Sequence, residues 1–283
     1  MRHASSRRRI TEEMKCGALQ FGVKAMLLWI ESQNTVIIAL LGFGFCYALA
    51  AIIFGAAVVV SQRPIAVDLK ATSPVMLTPL SVIAALLIAF LASRVWANLD
   101  HANTDVAREA SALRQSVLLA EAMPAEVRTA LRGAVKTYLQ FVETEDWPAM
   151  AEGRASLRES PSGLADALVL ILSFVPAEPG QQVAQQRAVV AVEQALEARR
   201  NRILLSKATI APIQWLVVVI LAVLTLLTIA MVHLERSTTV AVNLFIFSTA
   251  VAACLVLLMV NDRPFATGGI TIEPAALREI SID

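Results

Sequence analysis

At 283 residues the chain is long enough for one or two soluble domains, but its composition removes it from the soluble class. Hydrophobic residues make up 57% and charged residues 17%, with a mean hydropathy of +0.65. A net charge of +1 gives no global basic field, which excludes nucleic acid as the expected partner.

Residues 1–25 carry Arg2, Arg7, Arg8, Arg9, Lys15 and Lys24 ahead of any apolar core. This basic lead and the apolar run after it are both too long for a cleaved signal peptide, so a disordered cytoplasmic arm is expected, with organised sequence from Met26 onward. Four apolar runs follow, at about 35–60, 75–96, 210–232 and 239–260. At ~1.5 Å per residue each is long enough to cross a ~30 Å hydrocarbon core. The second ends at Arg94 and Trp96, a cation and an aromatic suited to the interface. As cations, the loop between the first two runs holds only Arg63 and Lys70, and the hairpin between the last two only Arg236. The basic arm, Arg94, and the Arg199, Arg200, Arg202 and Lys207 group flank the opposite ends, which predicts both termini and the middle segment in the cytoplasm.

The middle segment, about 97–207, reads as helical. No proline interrupts Leu80 to Met123, so the second membrane helix is expected to continue into the cytoplasm as a rod. Pro124 suits the first turn of a new helix whose Val127, Leu131, Val135, Tyr138 and Val142 form one apolar stripe. Asp146-Trp147-Pro148 marks its end, and a shorter apolar helix follows at about Leu164 to Phe174. Gly180 opens the last helix, with Val189, Val192, Leu196 and Ile203 on one side, and Pro212 restarts the chain at the membrane beside Gln214 and Trp215. A short strand is possible at Gly269 to Ile272, and residues 275–283 form a tail. The fold class is therefore all-α: four transmembrane helices with a helical cytoplasmic insertion between the second and third.

Cys16, Cys46 and Cys254 sit in unrelated contexts and suggest small buried hydrophobes rather than a disulfide scaffold. His3, His101 and His233 form no ligand motif, and no phosphate loop, dinucleotide fingerprint or nucleophile elbow is present. No metal site and no cofactor is expected. No cluster of titratable residues lies within the apolar runs, which argues against an enzyme, and intramembrane charge is absent, which argues against a secondary transporter.

The second helix is the most informative element. At 100° per residue Ile83, Leu87, Phe90, Arg94, Asn98 and His101 share one face, and Ala85, Ala89, Ala92 and Trp96 lie roughly opposite. Two readings stay open. The first face can line a pore, with an apolar neck that gates by dewetting and a polar vestibule beyond it. It can equally face lipid or the protein core, with the polar residues solvated. Arg94 divides the same way between snorkelling to headgroups and forming a positive collar. Arg199, Arg200 and Arg202 read most simply as topology signals in contact with anionic lipid.

Several stretches in order resemble the bestrophin-like family of largely bacterial membrane proteins. They are Trp96 and Asn98, then Ala107-Arg108-Glu109-Ala110 and Leu113. Tyr138 and Glu145-Asp146-Trp147-Pro148 come next. Arg199-Arg200-Asn201-Arg202 before Pro212 and Trp215, and Asp262-Arg263-Pro264-Phe265, complete the set. The likeness covers about residues 26–274. It implies a homo-oligomer, a pentamer by analogy, in the bacterial inner membrane. It also implies an ion channel for small anions such as chloride, with the second helix lining the path. Ile83, Leu87 and Phe90 would then form the neck, and Arg94 and Asn98 its cytoplasmic end. The acidic cluster that binds calcium in animal bestrophins has no counterpart here. The alternative is a non-conducting membrane scaffold or signalling protein whose cytoplasmic helices bind a partner.

Overall fold

The computed structural model describes residues 33–64, 66–158, 161, 163–234, 236–266 and 271–280. The basic arm at 1–25, which includes Cys16, lies outside these, as do Met26, Gly269 and Ile270 of the possible strand, and the last three residues of the tail. Among the described residues the elements are all helical. In chain order they are α1 (Thr35–Ser61), α2 (Ala66–Leu119), α3 (Ala125–Phe141), α4 (Trp147–Ala151), α5 (Leu164–Ser173), α6 (Pro179–Ser206), α7 (Pro212–Val232), α8 (Ser237–Asn261) and α9 (Ala275–Arg278). Four are long and apolar enough to cross a membrane: α1, α2, α7 and α8.

Helix ends follow local chemistry. The Asn34 side chain accepts from the Val36 N–H at 3.2 Å and starts α1. Pro212 occupies the first turn of α7, where its missing N–H costs nothing, and the Gln214 side chain accepts from the Ala211 N–H at 3.0 Å. Pro124 stands one place earlier than expected, at the N-cap of α3. The second helix differs more. It runs unbroken from Ala66 through Pro74 and Pro79, whereas hydropathy alone marks a start at about Val75.

The chain divides into two compact units, one comprising residues up to Val95 with Thr209–Asp262, the other Trp96–Ala208 with Arg263 onward. In the first, α1 lies along α8. A Cβ on Gly42 would come within 2.7 Å of the Val256 side chain, so only glycine permits this approach of the two helices. Two apolar cores fill the unit. One gathers Cys46, Leu91, Val95, Trp215, Val218, Ala252 and Leu258, the other Ile53, Leu226, Ile229, Val240 and Leu244. Two polar groups on α8 bond to other elements: Tyr47 meets Thr249 at 3.0 Å and Asn243 meets His233 at 3.4 Å. Asp262 reaches far along the chain. Both its oxygens accept from the Ile210 N–H at 3.0 Å, where the chain enters α7.

In the second unit α3, α5 and α6 pack together with the later part of α2. Leu131, Val135, Tyr138 and Val142 of the predicted stripe are buried and Val127 is half-buried. Gly163, at φ +85°, starts α5 against the backbone of α3. Between α3 and α4 the helix widens into a π turn over Val142–Asp146.

Candidate functional site

Two groups of residues carry the functional reading, and each lies within one unit or on one helix. The first is the face of α2. Ile83 and Phe90 are exposed, at 53% and 71% of their surface, so both point away from the helices of their own chain. Leu87 is half-buried and turns toward α7 and α8, beside Ile88 and ahead of the buried Leu91 and Val95. The 3.6-residue arithmetic alone puts Leu87 on the same line as Ile83 and Phe90; packing sets it at the edge of that face. Arg94 is exposed and its Nη1 donates to the Gln214 side chain at 3.3 Å. That contact holds the guanidinium beside the first turn of α7, the positive end of that helix's dipole. Asn98 is half-buried and belongs to the second unit, as does the exposed His101.

The second group is a buried ion cluster, and it corrects the simpler reading of the arginines. Arg199 and Arg202 are 4% and 0% exposed, so neither can reach lipid headgroups. Their place on the inner face of α6 is set by the small residues around them, Ala191, Ala195 and Ala198. Arg202 makes a two-pronged pair with Glu109 of α2, Nε to Oε2 at 2.8 Å and Nη2 to Oε1 at 3.1 Å. Its Nη2 also reaches Asp146 at 3.4 Å, and its plane stacks 4.8 Å from the centre of the Trp147 ring. Arg199 forks onto Asp146 at 2.7 and 2.8 Å and lies over Phe141. The Tyr138 hydroxyl donates to Glu109. Trp147 in turn donates to the Ile272 carbonyl at 3.2 Å and meets Phe265 edge-on, and Arg263 donates to the Ala151 carbonyl at 3.1 Å. Arg200 faces outward and takes no part.

The π turn makes this convergence possible. Tyr138 and Asp146 are eight positions apart, which in an uninterrupted α-helix leaves them roughly 80° out of line. The wider turn at Val142–Asp146 takes up that angle and turns Asp146 to the same side. Burial pushes the Tyr138 hydroxyl well above its ordinary value of 10.0, and the adjacent Glu109 carboxylate adds to the shift. Burial alone would lower Arg202, but Glu109, Tyr138 and Asp146 outweigh it and the net direction is up. The native state thus holds the Tyr138 proton more tightly than the unfolded chain does. The stability this lends is complete below pH about 10 and is lost as pH rises above it. Alkaline titration followed by tyrosinate absorbance should show Tyr138 ionising only as the insertion unfolds. Reversible ionisation near pH 10 with the fold intact would show that the hydroxyl is not sealed off.

Chemically the cluster is closed. The orphaned buried side-chain atoms among the described residues are Arg132 Nε, Trp215 Nε1, Ser248 Oγ and Asn261 Oδ1, and none belongs to it. With every charge matched by a fork or a ring, the arrangement positions helices and offers no vacant ligand position. Glu109, Tyr138, Asp146, Trp147, Arg199 and Arg202 are among the residues that carry the family likeness in the sequence, and here they are one object.

No curated protein matches the chain. A solved mutant of a bacterial bestrophin homolog from Klebsiella pneumoniae superimposes with a TM-score of 0.66 at 12% identity, covering 84% of this chain and 96% of that one. This likeness shows the fold. The bestrophin-like domain model matches residues 44–277, which reaches into four apolar helices and takes in all the residues of the buried cluster, and the chain therefore belongs to the bestrophin-like family.

Proposed function

We propose that the chain assembles into a ring in the membrane and conducts small anions along its second helices. Ile83, Leu87 and Phe90 form the apolar neck, and Arg94 and Asn98 its cytoplasmic mouth. The observation that carries this reading is the state of α2. Only 6% of its apolar window is buried within its own chain, against 22%, 44% and 33% for α1, α7 and α8. A helix that its own chain leaves bare, with large apolar residues outward and an arginine at the end, suits the lining of a path shared between copies. Arg94 beside the N-terminus of α7 supplies positive potential at the mouth, which favours anions. Both termini and the insertion then lie in the cytoplasm, and the membrane is the bacterial inner membrane.

Reconstitution into planar bilayers tests the proposal. Leu87→Ala or Phe90→Ala is expected to change single-channel conductance several-fold by widening the neck, and Arg94→Glu to weaken preference for anions. Bilayers that stay silent over a range of salts and voltages overturn it. A scaffold reading has one observation in its favour: Val169, Leu172 and Val175, close in sequence in the second unit, are all exposed apolar side chains. It predicts a compact particle without an axial hole, which a low-resolution image separates from a ring.

A further inference from the structure

Gln214 stands third in α7, after Pro212 and Ile213, a place where glutamate and glutamine both cap a helix start. Its side-chain oxygen accepts from the Ala211 N–H at 3.0 Å and from Arg94 Nη1 at 3.3 Å. Both partners can only donate, so the oxygen and not the amide nitrogen faces them, and its two lone pairs match the two bonds. The Ala211 carbonyl in turn accepts from the Gln214 and Trp215 N–H groups at 2.8 and 3.3 Å. The carboxamide is thus fixed by backbone on one side and holds a guanidinium on the other. Gln214 is half-buried and Arg94 exposed, so the side chain being held is the one that solvent reaches.

Charge makes glutamine the informative choice here. Glutamate would keep the Ala211 bond, gain from the positive end of the helix dipole and pair with Arg94 at full charge. On local stability it is the better residue. Glutamine forgoes both gains and keeps an acceptor that carries no charge. Among the described residues no carboxylate pairs with Arg94. Asp262, which holds the Ile210 N–H one residue before Ala211, is 2% exposed and is not one of its partners. An arginine with no acceptor spreads its charge over many rotamers, and one held by a carboxylate keeps its place but has its field cancelled. Gln214 avoids both. We propose that Gln214 is the positioning residue for anion selectivity: its neutral carboxamide holds the Arg94 guanidinium in place and leaves the positive charge open to an anion. This deepens the channel reading and rests on it for any effect on permeation. The potential at this spot is measurable whether or not the protein conducts.

The test uses the full chain in lipid nanodiscs with Ile213→Cys, at a site 58% exposed beside Gln214 and outside the neck. Modification of the introduced thiol is timed by mass spectrometry of the peptide that contains it. An anionic sulfonatoethyl and a cationic trimethylammonium-ethyl methanethiosulfonate are compared, each normalised for access to the neutral methyl reagent. Their rate ratio reads the local potential, because the thiolate fraction cancels. With a Debye length of about 30 Å at 0.01 M salt, cancelling one elementary charge beside the thiol should shift the ratio about threefold. Gln214→Glu and Arg94→Gln are each expected to lower the anionic preference by that factor. Gln214→Met keeps every charge but removes the acceptor, so in its background Arg94→Gln should change the ratio far less. A ratio unmoved by Gln214→Glu overturns the inference. So does an Arg94→Gln effect of the same size with and without Gln214→Met. Reversal potentials in a chloride gradient should show the same losses. Silent bilayers with the expected reagent ratios sink the channel reading and leave the hold of Gln214 on Arg94 supported, whereas an anion-selective channel indifferent to Gln214→Glu and Gln214→Met sinks this inference alone.

Discussion

Replacing Arg202 with alanine is expected to destabilise the helical insertion by about 3–5 kcal/mol, enough to abolish most of the folded population in a marginally stable unit. The guanidinium and the Glu109 carboxylate are both 0% exposed and joined by two hydrogen bonds. Truncating the arginine leaves that carboxylate buried with only the Tyr138 hydroxyl as a named partner. It also empties the space against Trp147. Magnitude separates this pair from the surface ones. Arg132 meets Glu121 at a shorter 2.6 Å, but their side chains are 32% and 46% exposed, so Arg132→Ala should cost less than about 1 kcal/mol. Chemical denaturation of the purified protein, followed by tryptophan fluorescence, measures both. Removing charge in pairs supplies the internal check: Glu109→Leu with Arg202→Met should be less harmful than Arg202→Ala alone, because neither charge is then left without its partner. A double variant as damaged as the single one would show that shape, and not charge matching, holds the cluster.

Gly163→Ala is expected to cost more than about 4 kcal/mol, in the range reached by few single substitutions. Two costs combine. At φ +85° an L side chain is strained by about 1–2 kcal/mol. A Cβ there would also collide with the Ala134 carbonyl oxygen and fall 2.8 Å from the Tyr138 nitrogen, both backbone atoms of α3 that cannot rotate away. Relief requires α5 to lift from α3, exposing Leu164, Ala167 and Ile171, which are fully buried. The same measurement tests it, with Gly133→Ala as comparison, since a Cβ at Gly133 meets nothing within 4 Å. Glycine in a helix interior costs up to about 1 kcal/mol relative to alanine, so Gly133→Ala should be neutral or stabilising.

The four apolar helices are legible because hydropathy over some twenty residues is a sum and tolerates local noise. The expected ends of the first, third and fourth fall within two residues of those observed. The second starts well before its apolar run, because Pro74 and Pro79 lie within the helix instead of bounding it. The stripe of α3 is legible for the same periodic reason. The ion cluster is not, although each of its members stands out in the sequence. Glu109 and Arg202 are 93 residues apart, and nothing in either's neighbourhood announces the other. Asp146 is harder still, since it joins only through a π turn that departs from the period used to sort faces. Gly163 carries no local signal, because its necessity comes from the backbone of a helix some thirty residues away. On α2, periodicity defines a face from Ile83 to Asn98, and only packing distinguishes the outward Ile83 and Phe90 from the inward edge at Leu87.

The formal charges of the buried cluster sum to zero, two guanidinium groups against two carboxylates. Seen from a distance it is therefore neither a source nor a sink of field. Its potential decays as that of interlocked dipoles, far faster than that of a lone ion. An ion moving elsewhere in the molecule would feel almost nothing of it. Substitutions that remove its charges in matched pairs, as Glu109→Leu with Arg202→Met does, would act through the shape of the insertion. Those at an unneutralised cation such as Arg94, whose named partner is an uncharged amide, would act through the field itself. The two modes differ in their response to salt, since added electrolyte screens the second and leaves the first unchanged.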